Sequence, residues 1–189
     1  AGIKPECGVV LGFSHSQGFP GLALMEGDAL ETPMGMAALD KETGAQLTSL
    51  SSRIYFKYAL HGNEHSAENE IPFVQAVFPD VKMVVGLIGD HDAQTVAELA
   101  RVLDEVAKKK KLLVVASTDM LHDADYDLVS RTDKGTLEKV AAMDAGGIAG
   151  AWPGSHQIFC GIMPVLTAMK FAALQGCRQG TVLHYRNSG

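Results

Sequence analysis

KMVVGLIGDHDAQTVAELARVLDEVAKKKKLLVVASTDMLH, residues 82–122, is the stretch from which the fold follows. Residues 82–88 and 111–117 are short, nearly unbroken apolar runs, the pattern of strands covered on both faces. Between them, residues 92–109 place apolar side chains at helical spacing, and Asp92 stands where a helix N-cap belongs. Strand, amphipathic helix and strand in succession make a βαβ unit.

The same alternation continues on both sides of this unit. Upstream, residues 7–14 (CGVVLGFS) and 22–25 read as strands, and residues 40–52 as a helix. Residues 64–78 read as a longer helix interrupted by Pro72, which lacks the N–H a helix interior needs. Downstream, an irregular polar segment around residues 123–127 precedes helical pattern at 133–143, extending toward 151. Residues 160–175 form a further helix ending at Gly176, and a last strand is expected at 181–185. The expected fold is α/β: a central parallel or mixed sheet flanked by helices on both faces, in one domain spanning residues 1–189.

A net charge of −6 and a pI near 5.6 speak against a nucleic-acid binder, which works by neutralising phosphates with a basic face. The only basic run, residues 108–111, is expected to close a helix as a solvated terminus, where lysines favour the negative end of the dipole. No stretch approaches a membrane span and no signal segment opens the chain, so a soluble cytoplasmic protein is expected. Cys7, Cys160 and Cys177 are widely spaced with no CxxC pair, which indicates free thiols in a reducing compartment.

Four side chains with metal or proton chemistry fall at comparable places in this topology. His15 follows the first strand, His122 follows the strand at 111–117, and His65 and Cys160 are expected in the first turns of their helices. Ligands of open α/β sheets bind at the carboxyl ends of strands and the helix starts that follow them, so one shared pocket is expected. A helix start also favours the thiolate of Cys160, the form that attacks or binds metal. Asp119 lies three residues before His122, close enough to orient an imidazole that moves a proton. Glu64, beside His65, reads equally as a pocket residue or as an acidic helix start. His61, His91 and His184 read as structural.

Read in order, these segments resemble one family. Val9 to His15 looks like a strand running into Gly-Pro-Ser-His, and Thr32-Pro33-Met34-Gly35 like a Thr-Pro-Leu-Gly turn. Glu64-His65-Ser66-Ala67-Glu68 resembles Glu-His-Ser-x-Glu, and Ser117-Thr118-Asp119 with His122 resembles Ser-Ser-Asp-Phe-x-His. Cys160-Gly161 with Pro164 resembles Cys-Gly-x-x-Pro, and Asn187-Ser188-Gly189 a closing Asn-Ser-Gly turn. Together they resemble the Memo-like family, related to the class III extradiol ring-cleaving dioxygenases of LigB-like fold. The resemblance implies that His15 and Cys160 are metal ligands, that His122 is the acid/base histidine, and that Asp119 and His65 line the pocket; with the reading of the residues, Asp119 and His122 are the expected catalytic pair and Glu64 joins His65 as a pocket residue. It implies iron or copper as the metal, with zinc a further option.

The chain departs from that pattern in three places. Phe13 stands where the family has proline, Ser16 where a second histidine is common, and no Pro-His-Ala-Gly segment precedes the first strand. The chain is therefore expected to be incomplete at its ends. Three functions follow as expectations: a metal-dependent oxidoreductase of dioxygenase type, a non-catalytic signalling module binding phosphopeptides in the same pocket, or a hydrolase using Cys160 or zinc-activated water. The small-molecule or peptide ligand is not specified by any of these residues, and the five scattered arginines form no phosphate-binding cluster.

Overall fold

The structure is a computed structural model describing residues 4–151 and 158–187. Five strands form a mixed sheet in the order β5-β2-β6-β1-β7, where β1 is Cys7–Phe13, β2 Leu22–Leu24, β5 Ile54–Phe56, β6 Lys82–Ile88 and β7 Leu112–Ala116. Strands β6, β1 and β7 run parallel, while β2 is antiparallel to β6. A separate hairpin joins β3 (Ala29–Thr32) to β4 (Gly35–Ala38) through Pro33 and Met34. Its Gly35 has φ +98°, which a side chain would strain.

Alternation along the central strands feeds two cores. Cys7, Val9 and Leu11 of β1, with Val84 and Ile88 of β6, pack on one face against α3 (Ala93–Ala107) and α6 (Ile162–Leu174). Val10, Met83, Val85 and Leu87 point the other way, onto α2 (Ile71–Val77) and the hairpin. Strand β1 and, after the exposed Lys82, strand β6 are therefore apolar along their length, because neither face meets water. The remaining helices are α1 (Lys41–Leu50), α4 (Tyr126–Ala141) and α5 (Ala145–Ala151). Asp92 caps α3 as expected, its carboxylate accepting from Gln94 N–H.

Several expectations need correction. Pro72 does not interrupt a helix over 64–78. It starts one, sitting in the first turn of α2, where its missing N–H has no intrahelical role, while 64–67 forms turns. Helix α4 begins at Tyr126, because Asp125 accepts from Leu128 N–H and caps it there. It stops before Met143, whose φ of +56° breaks the run toward α5.

The expected strand at 181–185 is absent. The segment lies against α4 instead, with Gly180 N–H donating to Ala141 O (2.8 Å) and Tyr185 OH to Asp133 Oδ2 (2.7 Å). With no sheet beside it, its alternating apolar residues have nothing to cover, and Leu183 is 92% exposed. Strand β7 is only half-buried, because it forms the sheet edge among the described residues. The lysine run is not simply a solvated terminus either: Lys110 Nζ reaches the buried Asp40 at 2.9 Å and Thr43 Oγ1 at 2.8 Å. That ion pair ties the end of α3 to the start of α1, where Asp40 also caps Thr43 N–H.

Candidate functional site

The carboxyl ends of β1 and β7 lie side by side, since those strands pair in parallel. The segment after β1 carries His15 and the segment after β7 carries Thr118 and Asp119. Two glycines let other parts of the chain close onto these exits. A Cβ on Gly12 would collide with Ser66 Oγ and lie 2.6 Å from Ala67 N. The 64–67 turn is thereby seated on the end of β1, with Ser66 Oγ donating to Phe13 O (2.9 Å) and accepting from Phe13 N–H (3.2 Å). A Cβ on Gly161 would collide with Ser117 O, so glycine there lets the start of α6 meet the exit of β7.

Seating the turn aims Glu64 at His15. The Glu64 side chain is 2% exposed and accepts from His15 N–H (2.7 Å) and Ser66 N–H (2.9 Å), with His15 Nδ1 at 3.1 Å from both oxygens. Burial alone would raise its pKa. The hydrogen bonds from His15 and Ser66 outweigh burial and hold it down at about 2. Glu64 is thus a fixed anion that orients the His15 ring.

On the other side stands Cys160, half-buried and immediately before the N-cap Gly161, not within the first turn of α6 as expected. The sulfur accepts from Asp119 N–H at 3.3 Å and lies 3.7 Å from Thr118 Oγ1, while Thr118 Oγ1 accepts from Gly161 N–H at 2.9 Å. The His15 imidazole lies near enough to Cys160 for the two groups to shift each other's proton affinity. Desolvation would raise the thiol, but the Asp119 N–H and the His15 imidazole prevail and lower it. Burial would likewise lower His15, and the Cys160 and Glu64 anions raise it instead. Both shifts run toward the charged forms, thiolate and imidazolium. Alkylation of Cys160 by iodoacetamide, followed by mass spectrometry across pH, is expected to reach half its maximal rate below the pH of an ordinary cysteine. In Glu64→Gln that midpoint should move upward, and an unmoved midpoint would separate Glu64 from the thiol.

The other expected site residues take outer positions. His65 is exposed, its ring stacked 6.4 Å from that of His15. His122 Nε2 pairs with Asp119 Oδ2 at 3.3 Å, both largely exposed, in a cavity of about 670 Å³ that is lined by Thr118 and Asp119 but not by Cys160. His61 is buried against Ala23 O and His91 packs on Phe13, while His184 is exposed.

Sequence reasoning passed over Ser66, Thr118 and both glycines. A glycine inside a strand run, such as Gly12, was a legible sign of close backbone approach. Among the described residues, no three His, Cys, Asp or Glu side chains converge as a metal-binding group.

Comparison with known proteins follows the same outline. A MEMO1 family protein of Methanopyrus kandleri is 29% identical over 98% of this chain and 66% of its own length. One of Pyrobaculum aerophilum is 29% identical over 98% of this chain and 67% of its own. The chain thus spans about two thirds of the length of these curated relatives. The crystal structure of an uncharacterized protein from Escherichia coli K12 matches with a TM-score of 0.64 at 15% identity, covering 89% of this chain and 76% of that one, which supports the α/β fold. A family model described as Memo-like protein matches residues 3–189, and the chain belongs to that family.

Proposed function

We propose that this Memo-like protein carries a redox site centred on Cys160 and His15, of the kind that takes iron or copper in a dioxygenase-like oxidoreductase. The observation that carries the reading is a half-buried cysteine, its sulfur accepting from Asp119 N–H, near an imidazole anchored by a buried carboxylate. Thiolate and imidazole are the donors that copper and iron accept, and a carboxylate behind a histidine fixes the orientation of a ligand ring.

The donor types fit a metal, but their number does not. Two donors fall short of the three or four protein ligands typical of such sites, and the described residues bring no third to them. The residues' own chemistry is therefore the firmer part of the reading. Glu64 orients His15, the Asp119 N–H holds the Cys160 sulfur, and His122 with Asp119 offers an exposed proton-handling pair beside them. Free thiols suit the reducing cytoplasm, and no described helix is long and apolar enough to cross a membrane.

A phosphopeptide-binding role finds less support. Arg53 is engaged by Asp92 and Thr95, and Arg101 by Glu98, so neither is poised for a phosphate. The order Cys160, His15, Glu64 does match nucleophile, base and orienting carboxylate, which favours a thiol-dependent hydrolase as the second reading.

Reconstitution with iron, copper or zinc, followed by desalting and elemental analysis, tests the first reading. Iron or copper is expected in the parent protein at less than one equivalent, because two donors hold a metal weakly, with a loss of most of it in both Cys160→Ala and His15→Ala. Equal metal in parent and variants, or none in any, removes the ligand assignment. Ester turnover by the metal-free protein that disappears in Cys160→Ala would favour the hydrolase.

A further inference from the structure

We propose that the cavity beside Asp119 and His122 is a binding site for a small organic carboxylate with an apolar body, anchored by Arg186. The cavity encloses about 670 Å³ and is walled by the 118–124 segment, by Tyr126 and Val129 of α4, and by Arg186 and Asn187 of the tail. Its apolar surface comes from Met120, Leu121, Tyr126 and Val129.

The charges around it are unevenly satisfied. Asp133 is buried and fully used, accepting from Leu121 N–H (3.2 Å) through one oxygen and from Tyr185 OH (2.7 Å) through the other. Asp119 is paired with His122, and Asp123 accepts from Asp125 N–H at 2.8 Å. Arg186 forms no hydrogen bond or ion pair with any described residue, and it is the cavity's only permanent cation among them. A guanidinium that no described residue pairs, at the mouth of a partly apolar cavity, suits a planar carboxylate, which it can grip through two parallel N–H donors.

The tail is held in place to present it. Tyr185, next to Arg186, is tied to Asp133, and Asn187 on its other side donates to Ser130 Oγ at 3.3 Å. The two neighbours are thus anchored to α4 while the arginine between them is not. The same cavity is bounded by Thr118 and Asp119, which also contact the Cys160 sulfur. Identifying the carboxylate as the substrate of that site rests on the redox reading above, whereas its binding does not.

Calorimetric titration of the metal-free chain with benzoate, its neutral counterpart benzamide, and inorganic phosphate tests the assignment. Saturable benzoate binding is expected, weakened about ten-fold or more by R186Q and less by R186K, with benzamide binding as weakly to the parent as benzoate does to R186Q. Arg186 holds no described partner, so the variants should keep the parent's thermal midpoint, and matched midpoints confirm that the comparison is of folded proteins. Absence of saturable benzoate binding, equal binding by R186Q, or phosphate binding as tightly as benzoate each overturns the proposal. Metal content measured on separately reconstituted samples reports on the redox reading alone, because the titrated samples carry none.

Discussion

Gly12→Ala is expected to destabilise the protein by about 1–3 kcal/mol, the usual cost of forcing extra volume into a packed site. Local reasoning predicts the opposite sign. Gly12 lies inside a strand and its φ is not in the left-handed region, so alanine should stabilise by restricting the unfolded chain. What decides is the hard contact with Ser66 Oγ and the Ala67 backbone, neither of which is the flexible end of a long side chain. Relief requires lifting the 64–67 turn from β1, which breaks the paired Ser66–Phe13 hydrogen bonds and withdraws Glu64 from His15. Urea unfolding measures the first effect, and the pH profile of Cys160 alkylation measures the second. A variant as stable as the parent, with an unchanged profile, would show that the turn is not held by this contact. Gly161→Ala should behave similarly at the other wall, where Ser117 O leaves no room for a methyl group.

Glu64→Gln is expected to cost about 2–3 kcal/mol near neutral pH, and the loss should depend on pH in a particular direction. The folded carboxylate titrates at about 2 against an ordinary 4.5, a depression worth roughly 3 kcal/mol where the group is ionised in both states. A depressed pKa stabilises the fold fully above the unfolded value, and that stability drains away as pH falls from 4.5 toward 2. His15 has the opposite sign. Its raised pKa stabilises below the ordinary value of 6.5, and the contribution is lost as pH rises through the folded value. The difference between parent and variant should therefore be greatest between pH 4.5 and 6.5 and shrink on the acid side. Urea unfolding at stepped pH provides the curve. A difference that is flat with pH would mean that Glu64 acts through shape alone and not as an anion.

Both predictions turn on residues whose importance lies outside their own segments. The order of the six motifs pointed to His15, Glu64, Asp119 and Cys160, and the structure brings these four together where β1 and β7 end. The reading erred where partners were distant. Lys110 looked like a solvated helix end because its partner, Asp40, is far away in sequence. Residues 181–185 looked like a strand because they alternate, but alternation is only useful when a sheet edge accepts it, and this segment is bound to α4. Pro72 was read as a break because the helix start at Ile71 depends on how the preceding turn is seated. Arg186 carried no sequence signal at all: its significance is that it borders a cavity and pairs with no described residue.

The amino-acid sequence by itself determined the α/β class, the central strands β1, β6 and β7, the capping by Asp92, and the family. These depend on apolar periodicity, N-cap chemistry and motif order, all properties of neighbouring residues. Only the tertiary structure decided that Glu64 belongs to His15 as its orienting anion, that Cys160 precedes its helix and takes an N–H from Asp119, and that His122 faces a separate cavity. Those relations join residues about 40 or more positions apart through contacts at Gly12 and Gly161, and what such a contact permits depends on the backbone packed against it, which no local pattern encodes.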